Sequence, residues 1–291
     1  MIEERADLLR RVRRVRLATQ IRVRGTITGQ HRSIFRGSGL ELADLREYQP
    51  GDDLRAIDWK VTARCARPYV REFAEDREQT FYLVVDRSGS TGFGAGRAKA
   101  ERIAELAASL LVSAIDARER VGLCLFSDRI DRFVPARGGR AQLGRILAAL
   151  ADPSPASGRT DLAGVLHALT RRLPRRCTVL LLSDLLDDAG YDEPLQRLAH
   201  RHEVVAVRVA DPRERALPDV GLVRAEDAET GEQVWVDTSD PAVRARFAEV
   251  TAGAEAATDR ALRRAGVRAV SCTTDEPLER AAARLFARGG G

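Results

Sequence analysis

The sequence predicts an α/β fold, in which a doubly wound, mostly parallel sheet carries helices on both faces. From about residue 80 onward, short apolar runs alternate with longer segments whose apolar residues recur at helical spacing. The first apolar run, at 81–85, is continuous, as expected of a strand that is buried on both faces. Repeated alternation of strands and helices produces mostly parallel sheets.

The predicted elements follow one another closely along the chain. The predicted strands are short and largely apolar, at 81–85, 121–126, 130–134, 179–182, 204–209 and 267–270. The predicted helices lie between or after them, at 103–115, 142–150, 161–173, 194–200, 241–265 and from Pro277 onward. Residues 222–237 are predicted to form a hairpin, because two apolar segments flank a turn at Glu229-Thr230-Gly231.

Residues 1–79 do not follow this rhythm and are predicted to form a separate α+β lobe. The α/β domain is therefore expected to span residues 80–291. An Arg-rich amphipathic helix is predicted at 5–17. Its basic face is either simply solvated or a docking element for an acidic partner.

The remainder of the lobe contains turn signals and one strand pattern. A Gly-rich loop is predicted at 37–39. It precedes a short helix that runs through Trp59, for which Asp52 or Asp53 is the expected cap. The alternation of residues at 69–73 predicts a strand.

The charge of the chain does not indicate a nucleic-acid-binding protein. The formal net charge is +5 and the isoelectric point is about 9.4. Lys60 and Lys99 are the only lysines, so nearly all of the basic residues are arginines. Because the basic residues are interleaved with acidic ones rather than clustered, we expect no nucleic-acid partner.

The cysteines and the hydropathy indicate a cytoplasmic protein. The four cysteines lie far apart with no CxxC pair, which argues against a zinc site and a disulfide framework: Cys65, Cys124, Cys177 and Cys272. The first residues carry acids and lack the apolar core of a signal peptide. The longest apolar stretch, at 106–115, is too short to cross a bilayer.

The candidate site begins where the first predicted strand ends, at Asp86-Arg87-Ser88-Gly89-Ser90. Ligands of open parallel sheets bind beyond the carboxyl ends of the strands, at the point where the strand order reverses. Two hydroxyls two residues apart in a tight turn can face one point, and hard oxygen donors suit Mg²⁺. The alternative is purely structural: an Asx turn of Asp86 followed by a helix cap.

Two later segments complete the candidate site. Thr160 lies in a loop just before a predicted helix, and Asp184 follows the strand predicted at 179–182. Each has a simpler interpretation, Thr160 as an N-cap and Asp184 as a loop acid. In a sheet wound in both directions from its first strand, this later strand lies beside the first. Asp86, Ser88, Ser90, Thr160 and Asp184 are therefore expected to converge and to bind Mg²⁺ or Mn²⁺.

These residues resemble the complete metal-ion-dependent adhesion site (MIDAS) of von Willebrand factor A domains: Asp86-x-Ser88-x-Ser90, Thr160 and Asp184. The resemblance implies a von Willebrand factor A-like, Rossmann-type fold. It also implies that the two serines and the threonine bind the metal directly. The two aspartates would then bind it largely through water.

A second resemblance concerns residues 39–59, GLELADLREYQPGDDLRAIDW, which are similar to the signature of the domain of unknown function 58 (DUF58) family. Residues 62–64 and 72–73 extend it, and the stretch 227–232 is also typical of the family. Members carry this signature before a von Willebrand factor A domain. The resemblance implies a MoxR-type AAA+ ATPase as partner and a chaperone-like or assembly role, but no reaction.

The charged residues of the signature have two interpretations. They mix acids and bases around two aromatic residues: Arg46, Arg55, Arg64, Asp52, Asp53, Asp58, Tyr48 and Trp59. The favoured interpretation is a buried lattice of ion pairs under an aromatic lid. The other is a surface that faces a partner.

We therefore expect a metal-dependent protein–protein interaction module and not an enzyme. The sequence has no Walker A loop, because Gly92-Phe93-Gly94-Ala95-Gly96 lacks its spacing and its Lys-Ser/Thr. It also has no GxSxG elbow. Two alternatives remain: a scaffold in which the metal only braces three loops, and a Mg²⁺-dependent phosphoester hydrolase.

Overall fold

The computed structural model describes residues 42–49, 52–53, 57–65, 67–73, 79–93, 98–152, 158–174, 176–187 and 189–286. These residues fall into two compact units, one over 42–73 and the other over 79–286. The helix predicted at 5–17 and the Gly-rich loop predicted at 37–39 lie outside the described residues.

The smaller unit contains two antiparallel strands and a helix: β1 (Leu42–Glu47), α1 (Trp59–Cys65) and β2 (Tyr69–Phe73). The strand predicted at 69–73 is thus confirmed. The prediction of a helix that runs through Trp59 from a cap at Asp52 or Asp53 is wrong, because α1 begins at Trp59. Asp58 caps it, since its Oδ1 accepts hydrogen bonds from the backbone N–H groups of Lys60 (2.9 Å) and Val61 (3.2 Å).

The favoured interpretation of the signature charges is wrong for Trp59 and Arg64. The side chain of Trp59 is 69% exposed and Arg64 is also exposed, so neither belongs to a buried lattice. Tyr48 is half-buried. The ion pair of Arg67 with Glu47 (2.9 Å) is exposed as well and contributes little to stability.

The larger unit has the predicted α/β composition. Its strands are β3 (Thr80–Asp86), β4 (Arg120–Phe126), β5 (Ile130–Arg137), β6 (Thr178–Ser183), β7 (Glu203–Ala210), β8 (Leu222–Glu226), β9 (Gln233–Asp237) and β10 (Arg268–Thr273). Its helices are α2 (Lys99–Asp116), α3 (Arg140–Leu150), α4 (Leu162–Arg172), α5 (Asp192–Arg201), α6 (Pro241–Arg264) and α7 (Leu278–Phe286). Within the described residues, no helix is long and apolar enough to cross a membrane.

The main sheet is doubly wound, as predicted. Its six strands lie in the order β10-β7-β6-β3-β4-β5, and only β5, at one edge, runs antiparallel to its neighbour. From β3 the chain winds outward through β4 and β5, then returns to β6 and winds the other way. The strand order therefore reverses between β3 and β6. The predicted hairpin at 222–237 is formed by β8 and β9.

A separate hydrophobic core fills each face of the sheet. On one face, α2, α3 and α7 pack against strand residues such as Leu83, Leu123 and Val207. On the other, α4, α5 and α6 pack against alternate residues such as Val84 and Leu181. Burying one such leucine stabilises the fold by roughly 1.5–3 kcal/mol. Because helices cover both faces of the sheet, polar side chains of the strands lie mainly at the strand ends.

Candidate metal-ion site

The candidate site lies at the carboxyl edge of the sheet, beside the point where the strand order reverses. β3 and β6 pair in parallel, with Val85 opposite Leu182. Asp86, the last residue of β3, and Asp184, which directly follows β6, are therefore brought to the same edge. Both side chains are buried, with exposures of 2% and 3%. This is where open α/β sheets bind their ligands.

The loop after β3 brings two hydroxyls together. Ser88 Oγ lies 3.2 Å from Ser90 Oγ. The Asx-turn alternative is also realised, because Asp86 Oδ1 accepts a hydrogen bond from the Ser88 N–H (2.8 Å). The helix-cap alternative is not realised. Ser88 precedes a short 3₁₀ turn (Gly89–Gly92), but its side chain makes no cap hydrogen bond. The serine hydroxyls are thus not used to cap a helix.

Asp86 is a buried carboxylate whose described partners are neutral. Its Oδ1 accepts from the Ser88 N–H, and its Oδ2 accepts from Ser183 Oγ (2.5 Å). Burial, and after it the negative charge of Asp184, raises the pKa of Asp86 to about 6. Among the described residues, no cationic side chain forms an ion pair with it. A divalent cation at this point would offset both causes of the raised pKa.

Thr160 reaches the same edge through its loop. The Gly89 N–H donates a hydrogen bond to the carbonyl oxygen of Gly158 (2.9 Å), which joins this loop to the one after β3. Thr160 is not the N-cap of α4, because Asp161 has that role and accepts from the Gly164 N–H. Its hydroxyl donates instead to Glu229 Oε1, at 2.6 Å.

Asp184 is paired with a lysine that sequence reasoning did not identify as part of the site. Lys99 Nζ lies 2.8 Å from Asp184 Oδ2 and 2.5 Å from Glu214 Oε1. Burial lowers the pKa of Lys99, but the charges of Asp184 and Glu214 outweigh burial and raise it. The ammonium is therefore held charged. The one feature of the sequence that pointed to Lys99 is the rarity of lysine in this arginine-rich chain.

The backbone beside Asp184 is strained. Leu185 has φ 61°, a left-handed conformation that a bulky residue rarely adopts and that costs on the order of 1–2 kcal/mol. Three hydrogen bonds hold it: its N–H donates to Ser183 Oγ, and its carbonyl accepts from Tyr191 Oη and Thr258 Oγ1. The left-handed conformation of Leu185 changes the direction of the chain after β6, directly beyond Asp184.

The five predicted residues provide only oxygen donors, which is the ligand chemistry of Mg²⁺ and Mn²⁺. Asp86, Ser88 and Ser90 lie together in one loop. The Thr160 loop contacts it through the hydrogen bond between Gly89 and Gly158, and the segment that carries Asp184 contacts it through the hydrogen bond between Ser183 and Asp86. In the part of the chain that the structure describes, there is no group of three or more His, Cys, Asp or Glu side chains that could hold a metal. The hydroxyls and the buried carboxylate of Asp86, whose described partners are neutral, fit a hard divalent cation. The charge of Asp184, the other buried carboxylate, is already offset in part by Lys99.

The chain is similar to several bacterial proteins. An uncharacterized protein of Mycobacterium tuberculosis, Rv1480, is 38% identical over 267 residues, which cover 91% of this chain and 84% of the relative. The crystal structure of the conserved hypothetical protein BatB from Bacteroides thetaiotaomicron is similar with a TM-score of 0.48 and 14% identity, covering 72% of this chain and 97% of that one. A von Willebrand factor type A structure from Catenulispora acidiphila has a TM-score of 0.35 and 16% identity, covering 62% and 43%.

The family is shown by the extent of the sequence match. The family model described as "Protein of unknown function DUF58" matches residues 44–257, which is most of the chain. This range includes residues 44–59 of the signature, the candidate site and the hairpin. The chain belongs to the DUF58 family of proteins of unknown function.

Proposed function

We propose that this chain is a metal-dependent protein–protein interaction module. In this proposal Asp86, Ser88, Ser90, Thr160 and Asp184 hold Mg²⁺ or Mn²⁺, and the ion binds an acidic side chain of a partner. The supporting observation is the convergence of three loops that carry hard oxygen donors at one sheet edge. An ion held partly by neutral hydroxyls keeps much of its positive charge, so that a carboxylate can bind it strongly and directionally.

The partner that we propose is a MoxR-type AAA+ ATPase, in a chaperone-like assembly or regulatory role in the cytoplasm. The basis is the resemblance of residues 39–59 to the DUF58 signature, which implies such an ATPase as partner. The chemistry of the candidate site adds a condition: the ATPase must offer an exposed Asp or Glu.

The experiment is a calorimetric titration of a MoxR-type ATPase from the same genome into the full chain, in Mg²⁺ and in EDTA. Ser88→Ala with Ser90→Ala should weaken binding as EDTA does. The control variant is Ser113→Ala, because Ser113 lies near the end of α2 that is remote from the site and only donates to the Ser109 carbonyl. Equal affinity in Mg²⁺ and EDTA would contradict the proposal and reduce the ion to a structural brace.

We also propose that the chain catalyses no reaction. The basis is the sequence, which lacks a phosphate loop and an activated nucleophile. The purified chain with Mg²⁺ should turn over neither ATP nor a generic phosphoester. Turnover that disappears in Ser90→Ala would overturn this and favour the hydrolase alternative.

A further inference from the structure

The tip of the β8–β9 hairpin lies on the candidate site. The tip residues, 227–232, are exposed except for Glu229, which is half-buried. Glu229 Oε1 accepts a hydrogen bond of 2.6 Å from Thr160 Oγ1, a predicted metal ligand 69 residues earlier in the chain. One acidic side chain of the hairpin is thus directed at the site.

Two glycines allow the hairpin backbone to approach this closely. A Cβ added at Gly89 would overlap the carbonyl oxygen of Ala228. A Cβ added at Gly158 would lie 2.6 Å from the carbonyl oxygen of Glu229. Gly89 is part of the Asp86–Ser90 loop and Gly158 belongs to the Thr160 loop. The hairpin tip therefore packs directly on two of the three loops that form the site.

The tip is ordered by its own hydrogen bonds. Asp227 Oδ1 accepts from the backbone N–H groups of Glu229 and Thr230, each at 2.8 Å. The Asp227 carbonyl accepts from the Gly231 N–H (2.8 Å), and Gly231 has φ 73°, which favours glycine. These contacts fix the backbone on both sides of Glu229. Little backbone conformational entropy is therefore lost when the Glu229 carboxylate binds an ion.

The hydrogen bond between Thr160 and Glu229 leaves both side chains able to bind a metal ion. The Thr160 hydroxyl donates its hydrogen bond to Glu229 Oε1, so the lone pairs of Thr160 Oγ1 remain for a cation. Glu229 Oε2 has no hydrogen-bond partner among the described residues. A carboxylate with an unused oxygen beside a hard-cation donor set is the kind of ligand that such an ion binds.

We propose that Glu229 is a direct ligand of the metal ion beside the serine and threonine hydroxyls, while Asp86 and Asp184 act through water. The chain itself would thus supply a carboxylate at the position that a partner's carboxylate would take. This inference rests on the proposed function and specifies how the site is regulated. The site is closed by its own hairpin, and a partner must exchange its carboxylate for that of Glu229.

The experiment uses Mn²⁺ alone as the probe, with the full chain. Mn²⁺ affinity is measured by calorimetry, and the waters on bound Mn²⁺ are counted by water-proton relaxation. Glu229→Ala should weaken Mn²⁺ binding by about tenfold and add one coordinated water. Acetate should then displace that water in the variant but not in the wild type. The matched control is Glu232→Ala, whose exposed carboxylate lies on the same hairpin.

The outcomes separate this inference from the proposed function. If Ser88→Ala loses Mn²⁺ binding while Glu229→Ala keeps the wild-type affinity and water count, the metal site stands and Glu229 is not a ligand. A weaker affinity with an unchanged water count would also overturn the inference, because Glu229 would then act only through Thr160. A wild type that binds no Mn²⁺ would instead contradict the proposed function itself.

Discussion

Lys99 Nζ lies 2.8 Å from Asp184 Oδ2, and both side chains are almost fully buried. The pair links the first residue of α2 to the end of β6, and Glu214 joins it from the turn after β7. A compact ammonium can sit between two carboxylates where the planar fork of an arginine would need more space. This distinction accounts for a buried lysine in a chain whose only other lysine is the exposed Lys60.

Replacing Lys99 should destabilise the fold. Lys99→Met keeps the length of the side chain but leaves Asp184 buried without its cation, which costs about 3–5 kcal/mol for a buried pair. The measurement is urea unfolding in EDTA. Lys60→Met is the control, because Lys60 is exposed and its replacement should change stability by less than about 0.5 kcal/mol. Equal losses of unfolding free energy in the two variants would show that the buried ion pair does not stabilise the fold.

A methyl group at Gly89 should displace the hairpin tip. Gly89→Ala places a Cβ against the carbonyl oxygen of Ala228, whereas a Cβ at Gly92 meets nothing within 4 Å. We expect Gly89→Ala to cost about 1–3 kcal/mol and to weaken Mn²⁺ binding to the level of Glu229→Ala. Gly92→Ala should do neither. Calorimetric titration with Mn²⁺ checks this, and wild-type affinity in Gly89→Ala would contradict the docking of the hairpin.

The strands and helices of the large unit could be predicted because their signals are local. The apolar runs at 81–85 and 179–182 lie within β3 and β6, and the hairpin turn at Glu229-Thr230-Gly231 falls between β8 and β9. The rule for doubly wound sheets then places the ends of β3 and β6 side by side. The helix start at Trp59 was missed because several acids precede it, and local sequence does not show which of them caps the helix.

The contacts that surround the candidate ligands could not be predicted. Lys99 meets Asp184 across 85 residues, and Thr160 meets Glu229 across 69. Such pairs depend on how the α2 N-terminus and the hairpin are placed by the fold. The hairpin turn was visible in the sequence, but its direction toward the site was not.

His202 should contribute a loss of stability in mild acid, and Asp86, whose pKa is raised to about 6, should oppose that loss in the same pH range. Burial, and after it the charge of Arg201, lowers the pKa of His202, and its buried Nε2 has no described hydrogen-bond partner. The folded state therefore keeps His202 neutral, while the unfolded chain binds a proton near its usual pKa of about 6.5. The stabilisation is complete above that pH and is lost as the pH falls below it.

The test compares unfolding free energies between pH 7.5 and pH 5.5 in the wild type and two glutamine variants. On acidification His202→Gln should lose less stability than the wild type, or gain more, with a difference of at most about 1.4 kcal/mol per pH unit. His200→Gln, two residues away and exposed, should decline as the wild type does. A wild-type slope in His202→Gln would assign the acid sensitivity to other groups.

Thermal unfolding in Mg²⁺ and in EDTA shows whether Asp86, Ser88, Ser90, Thr160 and Asp184 hold a divalent cation. A ligand that binds only the folded state stabilises it by RT ln(1 + [L]/Kd), about 2.7 kcal/mol at a hundredfold excess over Kd. Millimolar Mg²⁺ should therefore raise the Tm of the wild type by several degrees, and Asp86→Ala, compared with itself in EDTA, should show no rise. A wild type whose Tm is the same in Mg²⁺ and EDTA, or an Asp86→Ala protein that keeps the full rise, would show that these five residues do not hold the ion.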